Sequence, residues 1–428
     1  MPEQDAQLKV QTLAEAFAQA GAVAAGAEAA KDSAKLVELA SQAPVVRLVD
    51  TILSEAVARR ASDIHIEAFE REVLVRYRID GRCYQVAKPP KSLALALSSR
   101  LKVLANLDVA ESRLPQDGRL LLTVSQRQID LRISTLPTMY GESIVLRVLD
   151  RGALDKTLGQ LGTSDQMQQT IEQIIQRPHG MLLVTGPTGA GKTTTLYACL
   201  AKRNSPEVKL ITTEDPVEYD VEGLVQVAIN EKIELNFGRC LRAILRHDPD
   251  IIMVGEIRDQ ETAQVAVQAA LTGHLVFSTL HTNDAPGAVT RLLDMGLEPF
   301  LVTSTVTGIL AQRLVRQLCP ACRAPYEPTA EELAALRLDA GQLTQPLMKP
   351  VGCEACNGIG FKGRSGLFEL LVITDTLRPL ILERVSVDAL RTQARAEGMR
   401  SLREDGIAKV VAGVTTAAEM IRETQDYE

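Results

Sequence analysis

The clearest chemical signal in the sequence follows the apolar run Met181–Thr185, where a glycine-rich turn leads to a lysine. Gly186, Gly191, Lys192 and Thr193 fit the phosphate-binding pattern G-x-x-x-x-G-K-[ST]. Glycines let backbone N–H groups converge on phosphate oxygens, and the partly positive N-terminus of a following helix assists them. Lys192 would contact the β and γ phosphates of ATP, and Thr193 would ligate Mg²⁺. The candidate ATP-contacting residues are Gly186, Pro187, Thr188, Gly189, Ala190, Gly191, Lys192, Thr193 and Thr194.

Carboxylates follow two apolar strands farther along the chain. ATP hydrolysis needs one carboxylate to orient the attacking water and another to hold Mg²⁺, usually at the ends of strands next to the loop strand. Glu214, Asp215 and Glu218 surround Pro216, which stops the first strand, and Glu256 follows the second strand after one glycine. The pattern leaves open which carboxylate serves water and which serves metal, and ordinary loop charges remain an alternative.

Two histidines flank a third short apolar strand, 275–279. His274 precedes this strand and His281 follows it, in a chain that has 5 histidines. We expect a γ-phosphate sensor or a contact between subunits at this position. A structural histidine with satisfied hydrogen bonds is an alternative that applies more strongly to His274 than to His281.

Four of the 7 cysteines form two C-x-x-C pairs, which favours a metal site over a disulfide framework. Four thiolates at this spacing suit a closed, structural, tetrahedral Zn²⁺ site. The 30 residues between the pairs include Thr329–Glu332, a capping box that predicts a helix inside the insert. Four unmetallated thiols are the alternative, and the three other cysteines are expected to be inert packing residues. The predicted zinc ligands are Cys319, Cys322, Cys353 and Cys356, and the predicted packing residues are Cys83, Cys199 and Cys240.

Alternating strands and helices position the phosphate loop and the carboxylates. Short apolar strands at 209–213, 251–254 and 275–279 alternate with helical stretches after Lys192, Asp259 and Asp284. Strands that alternate with helices predict a parallel sheet covered on both faces. A helix is also expected at 165–176, with Ser164 as its N-cap.

The region before this sheet has the pattern of a smaller α+β domain. A helix is expected at 46–60, and alternating residues predict strands at 62–67 and 73–79, the latter ending in the hairpin turn Asp80–Gly81. A second hairpin and one more strand are expected at 119–124, 128–134 and 143–149. Most arginines on such sheets only solvate the outer face. The arginines of this region that could do more are Arg113, Arg119, Arg132 and Arg147.

These patterns divide the chain of 428 residues into four parts. Residues 1–44 are predicted to be a loosely held, Ala-rich helical arm, either a tail without a specific role or a docking segment. Residues 45–150 form the small domain and 151–162 a glycine-containing linker. Residues 163–428 form the nucleotide-binding domain, with the four-cysteine module at about 314–366 and helices after it.

The charge and the apolar content of the sequence limit the kinds of partner that we expect. The net charge of −7 and the pI of about 5.5 do not provide the basic face that duplex binding requires, so nucleic acid is not expected as a partner. No apolar run approaches the length of a membrane span, and the N-terminus lacks the pattern of a signal peptide. We therefore expect a cytoplasmic protein.

Taken together, the motifs resemble the secretion ATPases that power type II secretion and type IV pilus assembly. That family has a P-loop, an Asp box, a Walker B variant with Gly-Glu and a His box, in this order. The corresponding segments here are 186–195, 214–218, 248–259 and 272–283, and segments 62–67 and 114–119 resemble the family's second N-terminal domain. The resemblance covers about residues 45–428.

The resemblance implies an α/β fold: a RecA-like P-loop ATPase domain with a smaller N-terminal α+β domain and a four-cysteine zinc module. It implies a homohexamer that binds ATP, Mg²⁺ and Zn²⁺, with ATP held between the two domains and Arg119, Arg132 and Arg113 reaching the phosphates. It also implies a place on the cytoplasmic side of the inner membrane, beside a platform protein and a membrane protein with a cytoplasmic domain. Residues 1–44 are too few for the larger docking domain that many family members carry.

Two other functions are consistent with a P-loop. A nucleic-acid translocase of RecA-like fold would need basic or aromatic pore loops, and the acidic pI and 3% aromatic content argue against it. A metal-stabilised scaffold that binds ATP only structurally would need Glu214, Glu218 and Glu256 to be idle. The motifs do not separate protein secretion from pilus assembly.

Overall fold

The computed structural model describes residues 13, 15–22, 32–124, 127–150, 156–338, 341, 343 and 345–424. The backbone forms two compact units, one of residues 1–152 with Cys353–Gly358, the other of Ala153–Gly352 with Ile359–Glu428. None of the described helices is both long and apolar enough to cross a membrane.

Residues 15–22 of the first unit are helical, and helices α1 (Ser33–Ser41), α2 (Ala43–Ala58) and α3 (Leu93–Leu104) follow along the chain. Helix α2 starts before the predicted residue 46, because Pro44 fits the first turn of a helix, where no N–H bond is lost. The arm was expected to be loosely held; instead Leu36 and Leu39 are buried and α1 packs against α3. Residues 1–12, 14 and 23–31 of the predicted arm lie outside the described residues.

A six-stranded antiparallel sheet, in the order β3-β2-β1-β6-β5-β4, forms the rest of this unit. Residues of β2 alternate between buried and part-exposed, as expected for a sheet covered on one face, and α2 and α3 contact its strands. The predicted hairpin turn at Asp80–Gly81 is confirmed by the positive φ of both residues. The strands are β1 (Ala61–Ala68), β2 (Val73–Ile79), β3 (Arg82–Ala87), β4 (Gln116–Val124), β5 (Arg127–Thr138) and β6 (Gly141–Asp150).

A seven-stranded sheet, in the order β15-β12-β7-β11-β10-β8-β9, organises the second unit. Every neighbouring pair is parallel except β12 and β15. Alternate residues of β7 enter two different apolar clusters, which confirms the predicted sheet with both faces covered. The strands of this sheet are β7 (Gly180–Thr185), β8 (Leu210–Glu214), β9 (Leu224–Ala228), β10 (Ile251–Val254), β11 (Leu275–Leu280), β12 (Val306–Leu318) and β15 (Phe361–Val372). Strands β13 (Ala324–Tyr326) and β14 (Leu347–Lys349) form a separate two-stranded sheet.

Helices connect and cover these strands. The predicted N-cap Ser164 accepts a backbone N–H bond from three residues farther on. Asp259 and Asp284, after which helices were expected, cap their helices in the same way. One short helix lies in the predicted linker, of which residues 151–155 are outside the described residues. The helices are α4 (Leu158–Leu161), α5 (Asp165–Ile175), α6 (Lys192–Arg203), α7 (Phe237–Ile244), α8 (Gln260–Leu271), α9 (Ala285–Asp294), α10 (Pro299–Thr305), α11 (Ala330–Leu336), α12 (Leu377–Leu382), α13 (Val387–Ala396), α14 (Leu402–Val411) and α15 (Ala417–Thr424).

The C-terminal region differs from the expectation of helices from residue 366 onward. Residues 366–372 are the second half of β15, which pairs with β12 over its whole length. The apolar run Leu367–Val372 has no helical period, and an antiparallel partner places it in the sheet instead. Helices begin only at Leu377.

Candidate functional site

The phosphate loop joins β7 to α6 in the strand–loop–helix context that the motif requires. Gly186, Gly189 and Gly191 have positive φ values, which glycine adopts at little cost. A Cβ at Gly186 would lie 2.5 Å from the carbonyl oxygen of Gln312, so the loop also needs glycine for its close approach to β12. The backbone is therefore shaped to present N–H groups at the start of α6.

Lys192 is buried, although a position between loop and helix is often exposed. Its Nζ donates to the carbonyl oxygens of Gly186 at 2.7 Å and of Pro187 at 3.1 Å. Burial lowers the pKa of Lys192, with the Glu256 carboxylate acting in the opposite direction and Arg313 in the same direction. The ammonium group therefore stabilises the loop through two carbonyl groups.

Parallel strands bring the predicted residues to one edge of the sheet. The register pairs Thr185 with Leu280 and Val254 with Ser278, so Gly186, Glu256 and His281 all follow the same ends of their strands. The carboxylates were expected on strands next to β7, but the neighbours of β7 are β11 and β12, so β10 and β8, which carry the carboxylates, lie farther away. At about 4.8 Å per strand, β10 lies roughly 10 Å and β8 roughly 14 Å from β7.

Glu256 is the acid with the strongest link to Lys192. One of its carboxylate oxygens pairs with Arg258, and the other lies 3.1 Å from Nε2 of His281. Its negative charge also acts on Lys192, where it opposes the lowering of the lysine pKa by burial. The structure thus groups Lys192, Glu256 and His281, as the motifs predict, and adds Arg258.

Glu214 has a different environment. Its side chain is 3% exposed, and the carboxylate accepts hydrogen bonds from Tyr197 at 2.5 Å, Thr212 at 2.5 Å and Gln226 at 3.0 Å. A carboxylate that is buried and occupied by three protein donors does not face a solvent-filled site. Glu218, four residues later, is only half-buried.

His274 and His281 lie at opposite ends of β11, so they do not form one site. The Nδ1 atom of His274 contacts the carbonyl oxygen of Ala269 at 2.9 Å, and its own carbonyl accepts from Gly180 at the start of β7. Because the phosphate loop follows the other end of β7, the structural alternative applies to His274. His281, which contacts Glu256, stays a candidate for the site at the phosphate loop.

The candidate arginines lie in the first unit. Arg119, Arg132 and Arg147 are directly opposite one another on β4, β5 and β6, and therefore share one face of the sheet. Arg119 is 61% exposed on its side chain but is held in place by Asp130, whose Oδ1 accepts from Nε at 2.8 Å.

Arg113 lies on the loop before β4, where it pairs with Glu111 at 2.7 Å and is 86% exposed. The guanidinium of Arg113 lowers the pKa of Glu111 to about 2. The candidate arginines therefore carry charge at the surface of this unit.

The motifs do not predict the hydrogen bonds made by three polar residues of the second unit. Gln312 on β12 accepts from Thr195 of α6 at 2.7 Å, and the buried Arg313 donates to the carbonyl of Asn283 at 2.8 Å. Tyr197 of α6 donates to Glu214. A signal for the first two exists in the sequence, since Gln-Arg interrupts an otherwise apolar strand.

The four predicted zinc ligands come together. The sulfur atoms of Cys319, Cys322, Cys353 and Cys356 all lie within 4.8 Å of one another, and the last two are 3.8 Å apart. Two sulfurs bound to one tetrahedral Zn²⁺ at about 2.3 Å would be separated by about 3.8 Å. Backbone N–H groups at Gly352 and Cys353 donate to cysteine sulfurs at 3.3 and 3.2 Å, which favours thiolates. The cluster therefore fits a zinc module.

The described residues of the insert between the cysteine pairs make contacts with one another. Strands β13 and β14 pair antiparallel and bring the two ends of the insert together. The predicted capping box at the start of α11 is confirmed, with Thr329 accepting from Glu332 N at 3.2 Å and Glu332 accepting from Thr329 N at 3.0 Å. Long spacing is thus compatible with one compact site. Cys199 and Cys240 are buried as expected, and burial raises the pKa of Cys199 to about 12.

Two known proteins of type II secretion are similar to this chain over most of its length. The type II secretion system protein E of Dickeya dadantii is 51% identical over 402 residues, covering 94% of this chain and 80% of that protein. The type II secretion system ATPase E of Vibrio cholerae is 48% identical, with 94% and 79% covered.

Solved structures show the same fold. The structure of the pilus retraction motor PilT with bound ADP superposes with a TM-score of 0.58 at 26% identity, covering 88% of this chain and 97% of that one. The Legionella pneumophila ATPase DotB superposes with a TM-score of 0.66 at 21% identity, covering 88% and 95%. The family model described as type II/IV secretion system protein matches residues 38–422. The chain therefore belongs to the type II/IV secretion system protein family, among the type II secretion ATPases.

Proposed function

We propose that this protein is an Mg²⁺-dependent ATPase whose hydrolysis cycle drives a type II secretion machine or the assembly of a type IV pilus. The observation that carries the proposal is the grouping of Lys192 in a complete phosphate loop with Glu256 and His281 at the same edge of the sheet. A structural ATP site would not need an acid and a histidine at that edge. The names of the relatives support the assignment to secretion.

The proposed catalytic roles of these residues follow from their positions around the phosphate loop. Lys192 leaves its two carbonyl partners for the β and γ phosphates, and the loop N–H groups surround the same oxygens. Glu256 and Glu218 divide the orientation of water and the binding of the metal, with His281 contacting Glu256. Glu214 is not proposed to contact water or the metal directly, because protein donors already occupy its carboxylate.

The donors at the loop fit Mg²⁺, which prefers hard oxygen ligands. The hydroxyl of Thr193, at the second position of α6, would supply one such oxygen, and the carboxylates of Glu218 and Glu256 would supply others. Bound Mg²⁺ would neutralise charge on the β and γ phosphates. Arg119, Arg132 and Arg113 contribute further positive charge from the first unit as the phosphoryl group leaves.

The cysteine cluster holds one structural Zn²⁺ in this proposal. Four thiolates leave no open position on the metal, so zinc holds the insert to the end of β12 and takes no part in hydrolysis.

The assembled motor is proposed to be a homohexamer on the cytoplasmic side of the inner membrane. Its partners would be a platform protein in that membrane and an associated membrane protein with a cytoplasmic domain. The support is the family membership of the chain and its similarity to a pilus motor.

Steady-state ATP hydrolysis by the purified full chain tests the enzymatic part, with Lys192→Ala as the informative variant. Loss of the lysine charge should lower kcat by about 10²–10³-fold, the usual effect of removing one donor from a developing anion. Chelation of Mg²⁺ should abolish turnover of the unchanged protein. Near-normal turnover by Lys192→Ala would refute the proposal, and stimulation by DNA would favour a nucleic-acid translocase.

A further inference from the structure

A buried hydrogen-bonded hub lies behind the carboxylate loop that connects β8 to β9. It consists of Tyr197 on α6, Glu214 at the end of β8 and Gln226 on β9. The Tyr197 hydroxyl donates to Oε2 of Glu214 at 2.5 Å, and Nε2 of Gln226 donates to Oε1 at 3.0 Å. Glu214 therefore joins the helix of the phosphate loop to two strands of the sheet.

The hub also holds the loop that carries Glu218. Gln226 donates through Nε2 to the carbonyl of Tyr219 at 2.9 Å and accepts through Oε1 from the N–H of Val221 at 2.9 Å. The ring of Tyr219 packs edge-to-face on Tyr197, with 6.0 Å between centroids. One side chain thus fixes the backbone directly after Glu218 on both sides of a turn.

The far end of α6 makes a further attachment. Asn204, which caps the C-terminus of α6, donates to the carbonyl of Glu222 at 2.8 Å. The loop is consequently tied to the phosphate-loop helix at two points, through Tyr219 against Tyr197 and through Glu222 at Asn204.

We propose that Tyr197, Glu214 and Gln226 are positioning residues that set the place of the Glu218 carboxylate relative to Lys192, the residue at the start of the same helix. This inference rests on the proposed role of Glu218 in hydrolysis. A displacement of about 1 Å at a reacting group can cost on the order of 10²-fold in rate, so small changes in the hub should be visible in kcat. Substrate affinity, which depends mainly on the phosphate loop, should change little.

Two conservative variants test the hub in the full chain. Tyr197→Phe removes one hydroxyl and keeps the ring against Tyr219, and Gln226→Met keeps most of the volume while removing both loop contacts. Each should lower kcat by about 10-fold or more and leave the Kd for ATP within about twofold. The matched controls are Tyr326→Phe, which removes a tyrosine–glutamate bond of 3.1 Å near the insert, and Gln345→Met, which removes a glutamine–backbone bond of 2.7 Å.

A double-mutant cycle with Glu218→Gln identifies the route of the effect. If the hub acts through Glu218, Tyr197→Phe should lower kcat in the unchanged background and have little further effect in the Glu218→Gln background. Full additivity, or unchanged kcat in both hub variants, would overturn the inference. An active Lys192→Ala variant would instead overturn the proposed function, so the two failures are distinguishable.

Discussion

Glu256 and Glu218 occupy different kinds of position, and the difference bears on their roles. Glu256 follows β10 after Gly255 and contacts Arg258 and His281, so its carboxylate is restrained by neighbours with positive or protonatable groups. Glu218 lies on the connection between β8 and β9 and depends on the hub for its place. A fixed acid suits a metal or water contact without further ordering, whereas an acid on a loop can respond to movement of α6.

Replacement of either acid by glutamine tests these roles. Glu218→Gln and Glu256→Gln should each lower kcat by at least about 10²-fold with ATP binding retained, because each removes a charge with little change in volume. Parallel measurements of kcat and ATP Kd provide the check, with Glu222→Gln as a control on the same loop. Unchanged kcat in both variants would show that the carboxylates are not catalytic.

Glu369 on β15 has the clearest pH signature among the described acids. Burial raises its pKa to about 7, the nearby Asp284 acts in the same direction, and the N–H groups of Ala285 and Leu402 and the guanidinium of Arg391 oppose the rise. The Oε1 atom accepts from Ala285 N at 2.8 Å, at the start of α9. Since the carboxyl group of an unfolded chain titrates near its usual pKa of 4.5, the folded state holds the proton more tightly.

The sign of the effect follows from proton linkage. Stability contributed by the neutral carboxyl is fully present below about pH 4.5 and is lost as the pH rises through about 7, a loss on the order of 3 kcal/mol. Glu369→Gln keeps an acceptor for Ala285 N and cannot ionise. Denaturant unfolding between pH 5 and about 8 should therefore show a smaller loss of stability in Glu369→Gln than in the unchanged protein; equal slopes would contradict the assignment.

At the scale of elements, the sequence predicted β7, β8, β10 and β11, because each is an apolar run that ends in a turn. Their order could not be predicted, since β11 lies between β7 and β10 only through packing of the whole sheet. The sequence pattern did not predict strand β12, because Gln312, Arg313 and Arg316 interrupt its apolar residues. Those polar residues have partners only in the folded chain, such as Thr195 for Gln312 and Glu419 for Arg316.

The residues of the candidate site also divide into those that the sequence predicts and those that only the folded structure shows. The motifs identified Lys192, Glu256 and His281, since chemistry fixes their types and spacing. They did not distinguish Glu214 from Glu218, because both are acids at the end of one strand, and only burial and hydrogen bonding separate them. Tyr197 and Gln226 belong to no motif and become visible through their contacts.

The four-cysteine element gives a prediction about metal and stability. The purified protein should contain about one Zn²⁺ per chain, and Cys319→Ser or Cys353→Ser should lose the metal and lower the thermal stability, because zinc binding energy is also folding energy. Cys83→Ser, which lies outside the cluster, is the matched control. Elemental analysis of freshly purified, reduced protein measures the content, and absence of zinc would refute the assignment.

At the scale of the whole molecule, catalysis is proposed to need both units. The second unit carries the phosphate loop and its acids, and the first carries a row of arginines on neighbouring strands. Asp130 holds Arg119, so the guanidinium is oriented before any nucleotide arrives. A pre-oriented guanidinium loses less freedom when it meets a phosphate, which suits a charge that acts only in the transition state.

Arginine replacements test that division of labour. Arg119→Ala and Arg132→Ala should lower kcat far more than they weaken ATP binding, because their charge matters most as the γ-phosphoryl group leaves. Removal of such an arginine in related phosphoryl transfers costs about 10³-fold or more. Arg76→Ala is the control, since Arg76 lies on the same sheet and pairs with Glu67 at 2.7 Å but is no candidate for phosphate contact. If kcat is unchanged in both candidate variants while Lys192→Ala is inactive, hydrolysis depends on the second unit alone, and the arginine row of the first unit has no part in the chemistry.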